Sequence, residues 1–161
     1  MNDSRQLEVT ETIPGPPEKV FALLADPSRH IEIDGADMLR GLDSGPSQIT
    51  GVGDDFVMNT HQEGLGDYGM RSEVVDYEPN RRIAWAPAPY PPGVLSHLIG
   101  DIDLSGHTWS WELEPTADGG TQVTHVYDWS GVQDERALEL FPRVSEEQMM
   151  GSISRIADAT R

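Results

Sequence analysis

The segments "HTWSWEL" (107–113) and "VTHVYDW" (123–129) alternate bulky with small or polar residues, and only "EPTADGGTQ" separates them. Alternation with period two marks a half-buried strand, so the pair is expected to form a β-hairpin. Its bulky sets are His107, Trp109, Trp111 and Leu113 on one strand and Val123, His125, Tyr127 and Trp129 on the other. For both sets to share a face, paired residue numbers must sum to an even number, which demands an odd loop or a bulge. "DGG" can supply the left-handed residue of a three-residue loop with a G1 bulge. A two-residue turn would split the rings between two faces.

Around this hairpin the chain alternates in the same way. "QLEVTETI" is expected to form a first strand, with Glu11 the odd member of its apolar face. "PGPPEKVFALLAD" then breaks the strand and opens a helix, with Pro17 in the first turn, where its missing N–H costs nothing. "DPSRH" restarts a second short helix, Asp26 as cap and Pro27 at the first position. Strands are predicted over 38–43, 53–61, 67–78, 81–87, 104–114 and 121–130, most joined by short Gly-, Pro- or Asn-bearing turns. From Ser145 the pattern becomes helical: Ser145 with Gln148 makes a capping box, Val144 with Met149 a hydrophobic staple, and Met149, Ile153, Ile156 and Ala157 one apolar stripe. Six or seven antiparallel strands with one helix to cover their apolar face predict an α+β fold.

Composition narrows the function classes. A chain of 161 residues, 37% hydrophobic, suits one domain over 1–161. The absence of cysteine excludes disulfides, thiolate metal sites and a Cys nucleophile, and fits a cytoplasmic setting. "MNDSRQLEVT" lacks the apolar core of a signal peptide, and no run approaches the ~18 apolar residues a membrane helix needs. A net charge of -17 repels phosphate backbones, so nucleic acid is not an expected partner. His30, His61, His97, His107 and His125 show no metal-binding spacing, and no glycine run has the context of a phosphate loop, so neither metal nor cofactor is expected.

Several strings together resemble the START-like (SRPBCC) superfamily, in its polyketide cyclase/dehydrase branch. They are "TIPGPPEKVFALLADPSRHIEID", "GVGDDF", "VVDYEPNRRIAW", "WSWELEPTADGGTQVTHVYDW" and the final amphipathic helix, covering about 7–160. The resemblance implies a helix-grip fold, a curved sheet wrapped around the last helix, with a cavity between them that relatives use for hydrophobic ligands and sometimes for catalysis. One departure stands out: His30 and Ile33 occupy positions where the family usually has an aromatic residue and a Trp.

The rings of the hairpin can be core or cavity wall. His125, Tyr127 and the indole N–H groups bring polar handles that a sealed core must satisfy internally, which favours a wall. The expected binding set from the hairpin is Trp109, Trp111, His125, Tyr127 and Trp129. Strand parity adds Tyr68, Met70 and Trp85, and the last helix adds Met149 and Ile153. The ligand is expected to be a hydrophobic, lipid-like or polyketide-like small molecule, carried or sensed.

Two alternatives stay open. One is a cyclase/aromatase- or dehydratase-type enzyme, with His125 and a carboxylate such as Glu11 or Asp34 moving protons and Tyr127 donating to an enolate. Turn duty competes for Asp34, because Asp-Gly favours tight turns. The other is an interaction module with a filled core. The long joint 87–103, with Val94, Leu95, Leu98 and Ile99 at helical spacing, is expected to be either a lid over the cavity or a dimer contact.

Overall fold

Period-two alternation places Gln6–Ile13 as strand β1, and three prolines and a glycine end it before helix α1, Pro17–Leu24. The computed structural model describes residues 5–161; the first four residues of "MNDSRQLEVT" lie outside the described residues. Val20, Phe21, Leu23 and Leu24 are buried on one side of α1. Asp26 accepts a hydrogen bond from the Ser28 N–H and starts the second short helix, which is a 3-10 helix, Pro27–Ile33. Six strands follow: β2 Leu39–Ser44, β3 Asp55–Gln62, β4 Gly66–Glu78, β5 Arg82–Tyr90, β6 Thr108–Pro115 and β7 Thr121–Asp128. Short helices α2, Ser96–Ile99, and α3, Glu135–Leu138, precede the long helix α4, Glu146–Ala159.

The seven strands make one antiparallel sheet in the order β1-β7-β6-β5-β4-β3-β2. This is the α+β architecture of the helix-grip fold. Helix α4 is capped by Ser145 and Gln148, each side chain bonding the other residue's backbone N–H. It buries Met149, Ile153, Ile156 and Ala157 against the sheet.

The turn between β6 and β7 resolves the parity question. Trp109 pairs with Tyr127 and Trp111 with His125, so the sums are even. Gly119 N–H donates to the Thr116 carbonyl and Thr116 N–H to the Gly120 carbonyl, closing a three-residue loop with Gly119 at φ +91°. That is the left-handed glycine a G1 bulge requires. All the large rings of the hairpin therefore project from one side.

A second irregularity performs a similar task between β4 and β5. The register shifts between Val74 and Asp76, leaving Val75 out of the ladder and exposed. Trp85 is thereby set opposite Val74 and Ile83 opposite Tyr77.

β6 begins four residues later than the alternation predicts. Gly106, at φ +115°, passes so close to the Gly131 carbonyl that a Cβ would sit 2.5 Å from its oxygen, and this crossing occupies the stretch read as strand.

Candidate functional site

The space between the sheet and α4 is unevenly filled. Beside the second half of the helix it is solid with aliphatic side chains. Beside the first half there is a cavity of about 160 Å³. Its walls come from the 3-10 helix (His30, Ile33), β3 and β4 (Phe56, Met58, Met70, Ser72), β5 (Trp85) and the hairpin (Trp109, Trp111, His125). Val144, Met149 and Ser152 close the helix side.

One wall is a run of stacked rings. Trp111 and His125 lie with centroids 3.5 Å apart and planes 11° from parallel; Trp109 and Tyr127 lie at 3.9 Å and 7°. His125 and Trp109 join the two pairs at 5.3 Å. Each pair consists of residues directly opposed across β6 and β7, the arrangement in which side chains of neighbouring strands approach most closely. A second group faces the cavity from the other strands: His30 stacks on Trp85 at 4.8 Å, and Phe56 meets both edge-on at 5.3 and 5.7 Å. His30 thus puts a flat ring against Trp85 and Phe56 at a position where the family usually has an aromatic residue.

The imidazoles are neutral and have defined tautomers. His125 Nδ1 lies 3.0 Å from the Ser110 carbonyl, which only accepts, so Nδ1 carries the hydrogen and Nε2 presents a lone pair. Burial lowers its pKa to about 4, because the charged ring would lose its hydration. His30 donates from Nε2 to the Leu24 carbonyl at 2.8 Å, and burial lowers its pKa as well. Trp111 is 4% exposed, and among the described residues no group lies within hydrogen-bonding distance of its Nε1–H. Leaving such a buried donor unanswered costs about 1–3 kcal/mol.

Of the residues expected at a site, Met70, Trp85, Trp109, Trp111, His125 and Met149 come together around this cavity, and Asp34 touches it. Tyr68, Tyr127, Trp129 and Ile153 do not border it. Tyr68 is buried beside it, its hydroxyl accepting from Gln62 Nε2 at 2.8 Å. The Tyr127 hydroxyl accepts from the Arg143 backbone N–H at 3.2 Å, and burial raises its pKa to about 12. Trp129 packs against Tyr127 and Phe141, and Ile153 belongs to the filled core.

The acid–base grouping is not assembled. Glu11 is exposed on β1, an edge strand with unbroken register, so the edge turns it to solvent and no bulge is involved. The Asp34 carboxylate accepts from three backbone N–H groups, of Ala36, Met38 and Leu39, at 3.0, 2.5 and 2.6 Å; it is a turn residue. Among the described residues no carboxylate bonds either cavity imidazole, and no cluster of three or more His, Asp or Glu could hold a metal.

The joint 87–103 also departs from the lid expectation: beyond Pro87 none of it borders the cavity. Asp101 is instead ion-paired with Arg136 at 2.8 Å, and Asp103 N–H donates to Asp134 at 2.9 Å, which ties the segment to α3. Leu95 is buried and Leu98 half-exposed.

The expected site omitted several wall residues, among them His30, Ile33, Phe56, Met58, Ser72 and Ser152. Met58 pairs with Met70 across β3 and β4, so the parity that placed Met70 also turns Met58 inward. His30 stood out only as a departure from the family pattern, and that its ring reaches the cavity depends on how the 3-10 helix meets β5.

The sequence profile of the family described as "Polyketide cyclase / dehydrase and lipid transport" matches residues 4–158. The Rv0088 protein of Mycobacterium tuberculosis is 32% identical over 126 residues; these are 78% of this chain and 46% of that protein, so the chain spans less than half the length of this relative. Among solved structures, protein Ms6760 of Mycobacterium smegmatis superposes with a TM-score of 0.69 at 16% identity, covering 99% of this chain and 92% of its own. DynU16, from the dynemicin biosynthetic locus, gives 0.59 at 17% identity over 96% of this chain and 46% of its own. These structural likenesses establish the fold, and the profile match across nearly the whole chain establishes kinship: the chain belongs to the polyketide cyclase/dehydrase and lipid transport family.

Proposed function

We propose that this protein binds a hydrophobic small molecule in the cavity between the sheet and the first half of α4, as a carrier or sensor of that molecule. The observation that carries this reading is the cavity itself: an apolar, aromatic- and Met-lined hollow inside a core that is otherwise filled. Folding would ordinarily close such a space, since every unfilled volume forfeits dispersion contacts. An occupant restores them, and its apolar area contributes at ~25 cal/mol per Å². A polar recess lined by Asp37, Arg40, His61, Glu63 and Arg143 adjoins the cavity, sharing Ala36 and Met38 with it. A cysteine-free chain suits cytoplasmic carriage of such a ligand.

The enzyme alternative has less support. A His held neutral with no carboxylate behind it is a weak base; Glu11 is exposed to solvent, and Asp34, at the cavity edge, spends its carboxylate on three backbone N–H groups.

Titration of the full chain with toluene, followed by tryptophan fluorescence, tests the reading. Three of the four tryptophans border the cavity, so a saturable change is expected, and Met149→Trp, which fills the hollow, should abolish it. A wild-type protein that gives no saturable response to any apolar probe refutes it.

A further inference from the structure

Arginine is scarce in this acidic chain, and most of it is claimed by carboxylates. Arg29, Arg71, Arg81, Arg82, Arg136 and Arg161 each form an ion pair with an Asp or Glu. Arg40 and Arg143 form none among the described residues, although the chain carries 28 acids against 11 bases. Both are exposed, and both stand in the polar recess beside the cavity. Arg40 donates only to the backbone carbonyls of Asp37 and Leu39, at 2.9 and 3.1 Å, and Arg143 Nε only to the side-chain carbonyl of Gln62. A guanidinium has five N–H donors, so each keeps some for another partner. Asp37 and Glu63 line the same recess, yet neither carboxylate bonds either guanidinium. His61 spends Nδ1 on Asp67 at 2.7 Å.

The recess follows the rim of the cavity. On three segments one residue stands in the cavity wall and its chain neighbour in the recess: Leu39 and Arg40 on β2, Thr60 and His61 on β3, Val144 and Arg143 before α4. The Arg143–Gln62 bond runs along this rim, from the segment before α4 to the last residue of β3. The charge of Arg143 is felt at the hydroxyls of Tyr68, buried beside the cavity, and of Tyr127. Inside, no Lys or Arg lines the wall and both imidazoles are neutral, so an anionic group has no counter-charge there. A molecule with an apolar body and an anionic head can therefore lie one way only, body in the cavity and head in the recess.

The recess also selects the head. A guanidinium fork matches a carboxylate bidentately, and a charge-assisted bond of that kind is stronger than the neutral amide bond Arg143 now makes. Asp37 and Glu63 oppose a second negative charge, which a phosphate monoester carries near neutral pH. We propose that the recess is a carboxylate subsite, in which Arg143, seconded by Arg40, holds the head of a monoanionic amphiphile whose apolar body occupies the cavity; this rests on the binding function proposed above.

Calorimetric titration of the full chain at neutral pH, in about 0.15 M salt so that the net charge of -17 is screened, compares octanoate, octan-1-ol, octyl phosphate and octylammonium. An exposed ion pair predicts that octanoate binds about fivefold tighter than octan-1-ol, with the other two charged probes weaker than octanoate. Arg143→Gln should bring the octanoate-to-octanol ratio down about threefold, and adding Arg40→Gln should remove the preference. Arg161→Gln, which deletes a cation outside the recess, should leave the ratio unchanged, and circular dichroism melting verifies that every variant folds. Octanoate no tighter than octan-1-ol, octyl phosphate or octylammonium at least as tight as octanoate, an unchanged ratio in Arg143→Gln, or an equal fall in Arg161→Gln overturns the carboxylate subsite while octan-1-ol binding leaves the apolar site standing. Absence of binding by every probe removes the site and the subsite together.

Discussion

The two ends of the space between the sheet and α4 are built from the same strands and the same helix, yet one is solid and the other hollow. At the solid end, Val20, Leu23 and Leu24 from α1 meet Val74, Ile83, Leu113, Val123, Ile153 and Ile156, all 2% exposed or less. At the hollow end stand Trp85, Trp109, Trp111, His125, Met70 and Met149. Branched aliphatic side chains project toward one another and interlock. Stacked rings satisfy one another sideways, along the strands, and reach less far across the gap. The lesson is that a sheet face can be fully apolar and still enclose space, depending on whether its side chains pack across the layer or within it.

The contrast is broken most severely at the solid end. Ile153 is fully buried within the filled cluster. Ile153→Ala should cost about 2–5 kcal/mol, the transfer free energy of the lost groups plus the new void. Urea unfolding followed by far-UV circular dichroism measures it. Affinity for an apolar probe, compared under conditions where the variant is folded, should change little.

Acid attacks the hollow end next. His125 titrates near 4 in the folded protein because burial opposes its charge, against about 6.5 in an unfolded chain. As pH falls below 6.5 the unfolded chain takes up the proton first, so this stability is fully present above pH 6.5 and is lost progressively down to about pH 4. The loss is on the order of 3 kcal/mol for His125. His107, also held at about 4 by burial but outside the cavity, adds a second loss in the same window. Urea midpoints at pH 7 and pH 4.5 should differ less in His125→Phe than in the wild type; identical pH dependence would show that His125 does not titrate in this way.

How far the sequence exposed these two ends follows from what alternation can encode. Parity and the "DGG" loop put Trp109, Trp111, His125, Tyr127 and Trp129 on one face, and the structure places them there. The capping box at Ser145 and the stripe on α4 were equally local and equally legible. Period two, however, says which side a residue faces and nothing of what stands opposite. Tyr127 and Trp129 share the face of Trp111 but meet Phe141 and the Arg143 backbone, from a segment whose path no local pattern fixes. His30 reaches the cavity only because the 3-10 helix lies against β5, and Glu11 leaves it because β1 is an edge.

The boundary between the two ends is held by a close backbone contact. Gly35 N–H donates to Ser152 Oγ at 2.9 Å, and a Cβ on Gly35 would lie 2.1 Å from the Gln148 carbonyl oxygen. It would also lie 2.7 Å from the Ser152 backbone nitrogen, and because both of these close atoms are backbone, Gly35→Ala must push α4 away from the turn after the 3-10 helix. A cost of about 1–3 kcal/mol is expected, typical of overpacking. Because Asp34, Ala36 and Met38 line the cavity here, probe affinity should fall as well, and joint measurement of melting and toluene binding checks both.

The smallest effect on stability is also the sharpest test of the contrast. Ser72 is as buried as many core residues, yet it lines the cavity and its hydroxyl has no hydrogen-bond partner among the described residues. In a filled core such a hydroxyl would need a partner, and removing it would leave that partner unsatisfied. Here Ser72→Ala deletes a polar group that no described residue bonds, so stability should stay within about 0.5 kcal/mol of wild type or rise. A loss beyond 1 kcal/mol, by contrast, would mean that the hydroxyl serves the fold, and that this end of the space is less hollow than its walls suggest.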